Sequence, residues 1–169
     1  VVVKFLDFWF NKYFYRLTRG QHDFIGVNYY FCEEKAFTMR YPFIANKKWQ
    51  GAKSDLGWPI RPEGLTRVLL KLKSMGKPIV ITENGLADAN DEKRSEYIRS
   101  HLRAVEAAQK EGADVRGYLH WSLMDNYEWD LGFGPRFGLV EIDYQTMERR
   151  PRKSAYVYKA IINGAREVG

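Results

Sequence analysis

One stretch of nine residues, 77–85, constrains the fold of this chain more than any other, and it reads KPIVITENG. Ile79, Val80 and Ile81 are β-branched, which favours a strand that is buried on both faces. The apolar run stops at the carboxylate of Glu83. In α/β proteins, ligands bind at the carboxyl ends of parallel strands. Taken alone, Glu83 fits a helix cap or a solvated loop residue as well as it fits a functional group.

The rest of the chain predicts helices and further strands around this stretch. Apolar residues recur at helical spacing in four segments, which are 1–19, 64–74, 93–110 and 154–166. The first of these is expected to bury one wide face. Segments 23–31 and 115–123 have the composition of strands, 139–143 is a short extended piece, and 33–63 is expected to be a long loop. Because strands alternate with helices, the chain is expected to form parallel βαβ units of the α/β class.

Charge and cysteine content exclude several classes of function. The net charge is +6, but the basic residues are scattered and accompany no nucleic-acid motif, so nucleic acid is not an expected partner. Cys32 is the only cysteine, and no Cys/His set has metal-ligand spacing. No apolar stretch approaches the ~20 residues of a membrane span, so no membrane contact is expected. A reducing, cytoplasmic location fits, and the start at Val1 rather than Met suggests a piece of a longer protein.

All three predicted strands end in chemically rich residues. The tips carry Asn28 and Tyr30 in one case, Glu83 and Asn84 in the next, and Trp121 followed by Glu128 and Trp129 in the third. Parallel strands place such tips at one edge of the sheet. The sequence contains no glycine-rich phosphate loop and no Ser/His/Asp pattern. Carboxylates combined with indole rings favour a carbohydrate as the ligand.

Several of these segments resemble glycoside hydrolase family 1, the β-glucosidases and β-galactosidases. Residues 81–85 (ITENG) resemble the nucleophile motif of the family. Residues 120–129 (HWSLMDNYEW) resemble its eighth strand segment, 23–30 (DFIGVNYY) its sixth, and 136–140 (RFGLV) the segment before its last helix. The sequence GYLHW at 117–121 most resembles the archaeal-type branch of the family.

The resemblance implies catalytic roles for two residues. Glu83 would be the nucleophile that attacks the anomeric carbon of a β-glycoside or oligosaccharide. Tyr30 would donate a hydrogen bond to Glu83 and help hold it ionised, because a hydrogen bond to the charged form favours that form. Asn28 would lie in the same site, near the acid/base. No cofactor and no metal are implied.

The resemblance also implies a set of substrate-binding residues. Trp121 would form the floor under the sugar ring of the first subsite. Considered alone, this tryptophan would be interpreted as core packing, but its place beside Glu83 favours stacking on a sugar. Glu128 and Trp129 would bind the 4- and 6-hydroxyls. Phe137 lies where the family fixes the region around the 6-hydroxyl, and Trp58 matches an aglycone-side tryptophan.

The family fold is a (β/α)8 TIM barrel, of which this chain is expected to supply only strands six to eight and their helices, as a single C-terminal segment over 1–169. A retaining glycosidase needs a second carboxyl group, which the family carries in an Asn-Glu-Pro motif on the fourth strand. That motif does not occur in this sequence. The expected partner is therefore the missing N-terminal portion of the barrel, and the isolated chain is expected to be inactive or nearly so.

Two other classes of function are alternatives to the glycosidase hypothesis. The first is a non-catalytic carbohydrate-binding or scaffold fragment that keeps the aromatic subsite without turnover. The second is an unrelated nucleotide-binding α/β domain, which the lack of a phosphate loop disfavours.

Overall fold

The computed structural model describes residues 5, 8–9, 13–18, 20–40 and 44–164. Its helices and strands in chain order are α1 (Tyr13–Leu17), β1 (Ile25–Asn28), β2 (Lys35–Phe37), β3 (Ile44–Asn46), α2 (Pro62–Lys73), β4 (Ile79–Gly85), α3 (Arg94–Lys110), β5 (Val115–Trp121), a 3-10 turn (Trp129–Leu131), β6 (Val140–Ile142), β7 (Arg149–Pro151) and α4 (Lys153–Ile162).

The central sheet consists of β1, β4 and β5 in that order, and both pairs of neighbours are parallel. Helix α2 precedes β4 and α3 precedes β5, which confirms the predicted alternation and the α/β class. Gly76 and Gly112, just beyond these two helices, have φ of +64° and +88°, a conformation that glycine adopts without steric cost. The Asp88 carboxylate accepts hydrogen bonds from the main-chain N–H groups of Lys93 and Arg94 at the start of α3.

The core lies between one face of the sheet and the helices. Alternate strand residues point into it, because side chains on a strand alternate between the two faces. They are Ile25, Val27, Ile79, Ile81 and Val115, which pack with Leu65, Leu69, Val105 and Ala108 of α2 and α3. The other face of the sheet carries Leu119, which is 57% exposed. The three strands therefore leave apolar surface open on the side away from the helices.

Strand β4 contains a β-bulge at Thr82 and Glu83. Asn28 of β1 pairs with Glu83, whereas the residue before Asn28 pairs with Ile81, so β4 has one extra residue here. The pairing with β5 shows the same offset between Ile81 and Asn84. Because both neighbours of β4 show the offset, the extra residue belongs to β4 itself.

Two antiparallel hairpins were not predicted. The expected loop at 33–63 contains β2 and β3, which pair with each other. Strand β6 lies within the predicted extended piece at 139–143, but it pairs with β7, whose residues are Arg149, Arg150 and Pro151. Charged, exposed strands of three residues lack the apolar alternation by which a strand is recognised.

The predicted helix at 1–19 falls largely outside the described residues, and its described helical span is α1. The expectation of one wide buried face is wrong for Phe5, Trp9 and Tyr13, which are exposed. The rings of Phe5 and Trp9 instead pack on one another in an edge-on contact at 6.0 Å. Tyr15 does reach the core, and its hydroxyl donates to the Gly26 carbonyl oxygen.

Candidate active site

Glu83 lies at the carboxyl end of β4, and the bulge sets the direction of its side chain. The Tyr30 hydroxyl, two residues beyond β1, donates to Glu83 Oε2 over 2.6 Å. Burial raises the pKa of Tyr30, and the hydrogen bond to Glu83 raises it further. Tyr30 therefore stays protonated and remains a donor to the carboxylate. β-Bulges are frequent beside active sites, where they redirect one side chain.

Asn28 is the register partner of Glu83 but faces solvent on β1. Its Oδ1 accepts a hydrogen bond of 2.6 Å from the Thr82 hydroxyl. This contact fixes the orientation of the amide beside the carboxylate, so the structure brings Asn28, Tyr30 and Glu83 together at one edge of the sheet.

The third strand tip adds an indole and a second carboxylate. Trp121 ends β5, and its register partner is Gly85 of β4. The Trp121 Nε1 donates to Glu128 Oε1 over 3.2 Å, which joins the strand end to the following loop. The next residue, Trp129, is 85% exposed. Trp121 and Glu128 thus form a connected pair, while the ring of Trp129 projects from the surface of this chain.

An aromatic cluster borders Tyr30 on the other side. Trp58 stacks on Phe31 with ring centroids 5.0 Å apart, and its ring lies 5.8 Å from that of Tyr30. Phe137 contacts both Tyr30 and Trp58 at 6.1 Å. Phe137 is only 1% exposed, so it supports the two other rings from behind and does not present a face of its own.

Trp49, also in the segment predicted as a loop, folds back onto its own surroundings. Its Nε1 donates to the Ala52 carbonyl oxygen, and the Arg61 guanidinium lies 4.1 Å from its ring centroid. These contacts pack Trp49 against its own surroundings, so it does not form an exposed sugar platform.

The role of Asp125 and its partners in holding the loop after β5 was not predicted from the sequence. Asp125 is buried and accepts two hydrogen bonds of 3.0 Å from Arg152, one of 3.3 Å from Arg136 and one of 2.9 Å from the Gly138 N–H. Burial alone would raise the pKa of Asp125, but the hydrogen bonds from Arg152 and Gly138 outweigh it and hold the pKa below its usual value. This carboxylate anchors the loop that carries Glu128.

The burial of Asn84 and its hydrogen-bond partners, which lie beneath Glu83, were not predicted from the sequence. Asn84 is completely buried and is hydrogen-bonded by Tyr97 of α3 and Tyr118 of β5. A signal was available, because a tyrosine on an otherwise apolar helix face must find a partner for its hydroxyl. The partner itself was not evident, since it lies on a different element.

Other kinds of site were also sought. Within the residues that the structure describes, no group of three or more His, Cys, Asp or Glu side chains is arranged to hold a metal ion. Among the described helices, none is both long and apolar enough to cross a membrane.

A carboxylate hydrogen-bonded by a phenol thus lies at the tips of the parallel strands of an α/β fold, with indole rings nearby. The chain belongs to glycosyl hydrolase family 1, whose model matches residues 8–167. The resemblance seen in the sequence motifs is thereby confirmed.

Relatives of this chain include archaeal and bacterial β-glycosidases. It is 43% identical over 155 residues to a β-galactosidase of Sulfolobus acidocaldarius, covering 85% of this chain and 32% of the relative. A solved β-glycosidase from Pyrococcus horikoshii matches with a TM-score of 0.85 and 45% identity, over 94% of this chain and 42% of that one. A family 1 β-glucosidase from Thermotoga maritima matches with a TM-score of 0.79 and 32% identity, over 87% of this chain and 36% of that one.

These matches also show how much of a family member this chain covers. The architecture resembles that of the family 1 TIM-barrel glycosidases over most of the 169 residues. The chain spans about a third of the length of the curated relatives it matches.

Proposed function

We propose that this chain supplies strands six, seven and eight, with their helices, of a (β/α)8 barrel whose complete form hydrolyses terminal β-glucosides or β-galactosides with retention. The observation that carries the proposal is the hydrogen bond between Tyr30 and Glu83 at the bulged tip of β4. Family membership and the partial coverage of the relatives support it.

In the proposed reaction, a Glu83 oxygen attacks the anomeric carbon as the bond to the leaving oxygen breaks. Tyr30 keeps the attacking carboxylate oriented and ionised. A second carboxylic acid gives its proton to the leaving oxygen and then takes one from the water that releases the sugar. The two carboxyl groups of such a site lie about 5–5.5 Å apart.

The sugar is proposed to bind next to these two carboxyl groups. Trp121 stacks against the ring, as apolar sugar faces favour indole surfaces. Glu128, tied to Trp121, accepts hydrogen bonds from the 4- and 6-hydroxyls, and Trp129 contacts the same edge. Asn28 lies on the acid/base side of the site. Trp58 borders the leaving group. Phe137, buried behind Tyr30 and Trp58, is proposed to shape the region around the 6-hydroxyl.

The second carboxyl group is proposed to come from the N-terminal portion of the barrel, because the chain contains no Asn-Glu-Pro segment. General acid–base assistance is worth about 10²–10⁴ in rate. The 169 residues alone are therefore proposed to have negligible turnover. The open sheet face with Leu119 is also expected to promote association of the isolated chain, which sedimentation would detect.

The test is a completed barrel, made by fusing this chain into the Pyrococcus horikoshii β-glycosidase in place of the segment that it matches. We expect hydrolysis of a 4-nitrophenyl β-glucoside or β-galactoside by the completed barrel and none by the chain alone. Glu83→Gln should abolish turnover. Glu106→Gln, an exposed glutamate on α3, is the matched control and should leave turnover unchanged.

Two results would overturn the proposal. Turnover by the chain alone that depends on Glu83 would show that no second portion is required. A completed barrel that binds a glycoside without hydrolysing it would favour the competing function, a non-catalytic carbohydrate-binding fragment.

A further inference from the structure

The side chain of Asn84, directly after Glu83, has a partner for each polar atom although it is fully buried. Its Nδ2 donates to the Tyr29 carbonyl oxygen over 2.6 Å and to the Tyr97 hydroxyl oxygen over 2.9 Å. Its Oδ1 accepts a hydrogen bond of 2.6 Å from the Tyr118 hydroxyl. These contacts come from three different elements or loops, so they hold the amide in a single orientation.

The Tyr97 hydroxyl also extends this network to Tyr30, the residue that donates a hydrogen bond to Glu83. It donates to the main-chain carbonyl oxygen of Tyr30 over 3.3 Å while it accepts from Asn84. The Tyr97 hydroxyl therefore connects Asn84, which follows Glu83, to the main chain of Tyr30, which hydrogen-bonds Glu83.

The bulge on β4 gives this network its importance. A bulge inserts a residue that the regular ladder does not pair. The Tyr29 N–H still donates to the Glu83 carbonyl oxygen over 2.8 Å, and side chains add further contacts on both sides of the bulge. Thr82 fixes one side of the bulge through its hydrogen bond to Asn28. Asn84 fixes the other side from within the core.

We propose that Asn84, Tyr97 and Tyr118 form a positioning clasp, which holds the bulge so that Glu83 stays within hydrogen-bond reach of Tyr30. This inference rests on the proposed function, in which that contact orients the nucleophile. None of the three residues touches the sugar in this arrangement. The clasp acts only through the placement of Glu83 and Tyr30.

The clasp should affect the chemical step more than binding. A misplacement of about 1 Å at a reacting group can cost ~10²-fold in rate. Trp121 and Glu128, the proposed sugar contacts, are joined to each other and not to Asn84. We therefore expect Tyr118→Phe and Tyr97→Phe each to lower kcat of the completed barrel about 10- to 100-fold, with KM changed less than about threefold.

Tyr158→Phe is the matched control. The Tyr158 hydroxyl is partly buried in the same region and donates to the Tyr118 main-chain carbonyl oxygen over 3.2 Å, so its loss removes a neighbouring hydrogen bond but leaves the clasp intact. We expect a similar loss of melting temperature from Tyr158→Phe and Tyr118→Phe, but a fall in kcat only from the second. Equal effects of the two substitutions on kcat would overturn the clasp.

Crystal structures of the two clasp variants provide a readout that does not depend on activity. We expect the Tyr30–Glu83 contact of 2.6 Å to lengthen beyond hydrogen-bond distance in at least one of them. An unchanged contact in both would overturn the inference even if the unsubstituted barrel is active. Absence of Glu83-dependent turnover in the unsubstituted barrel would instead refute the proposed function, and the crystal structures would still decide whether the clasp positions Glu83.

Discussion

The Tyr30 hydroxyl donates a hydrogen bond of 2.6 Å to Glu83 Oε2, and this bond joins the ends of two neighbouring parallel strands. Hydrogen bonds to charged groups contribute about 1.5–3 kcal/mol, and 1.4 kcal/mol corresponds to a tenfold change in rate. Tyr30→Phe should therefore lower kcat/KM of the completed barrel about 10- to 100-fold, as measured with an aryl β-glycoside.

Tyr15→Phe serves as the control for that substitution, because the Tyr15 hydroxyl donates to the Gly26 carbonyl oxygen in the same strand pair but does not contact Glu83. Its kcat/KM should match that of the unsubstituted protein. Full activity of Tyr30→Phe would contradict a role for this hydrogen bond in catalysis.

Asp125 and Arg152 form a buried ion pair with two hydrogen bonds of 3.0 Å. Removing one partner leaves a buried charge uncompensated, which costs about 3–5 kcal/mol. Asp125→Asn should lower the free energy of unfolding by that amount, as measured with a denaturant. Asp114→Asn breaks an exposed pair with Arg116 and should have little effect. Equal losses would show that the burial of Asp125 does not matter.

Two buried histidines predict a stability that depends on pH. Burial lowers the pKa of His101 to about 4 and that of His120 to about 3, and the charge of Arg94 adds to the effect at His120. The unfolded value is about 6.5. The folded protein holds both rings neutral. The free energy of unfolding is therefore highest above about pH 6.5 and falls as the pH drops toward the pKa values of the two rings in the folded state. Between pH 7 and 5, each ring should account for a loss of about 2 kcal/mol.

His120→Phe tests this dependence, since the ring nitrogens of His120 have no hydrogen-bond partner within the described residues. The substitution should be tolerated at pH 7 and should reduce the loss of stability between pH 7 and 5, measured by denaturant unfolding at both values. An identical pH dependence before and after the substitution would exclude His120 as the origin.

Gly85 lies against the end of β5, where a Cβ would overlap the carbonyl oxygen of Trp121. Main-chain atoms cannot yield as a flexible side chain can, and overpacking costs about 1–3 kcal/mol or more. Gly85→Ala should destabilise the protein by this amount and displace Trp121, which thermal melting and Trp fluorescence would report. Gly134→Ala, where the nearest atom is 3.5 Å away, should be neutral. A neutral Gly85→Ala would mean that β4 and β5 approach less closely.

The parts of the fold that depend on local pattern were predictable from the sequence. The unbroken β-branched run before Glu83 forms β4, and the apolar spacing predicted over 93–110 corresponds to α3. The tips of β1, β4 and β5 meet because parallel strands leave them no other arrangement. Family membership was evident from short motifs, because their residue types are specific and occur in the expected order.

What could not be predicted depends on contacts between elements. The partners of Asn84 lie 13 and 34 positions along the chain, and no local pattern links an amide to Tyr97 and Tyr118. Asp125 is similar, since Arg152 is 27 positions away. Strand β7 was missed for another reason, since it is short, charged and exposed. Such a strand depends on its partner β6 and not on its own composition.

The extra residue at Thr82 and Glu83 decides which face of the sheet each later side chain of β4 takes. Side chains on a strand alternate between faces, so the same residues in a ladder without a bulge would place every side chain beyond Thr82 on the opposite face. Asn84 would then leave the core and Glu83 would leave Tyr30 in a single step. The end of β4 can therefore bury Asn84 directly after the carboxylate only because it carries one residue more than its neighbours.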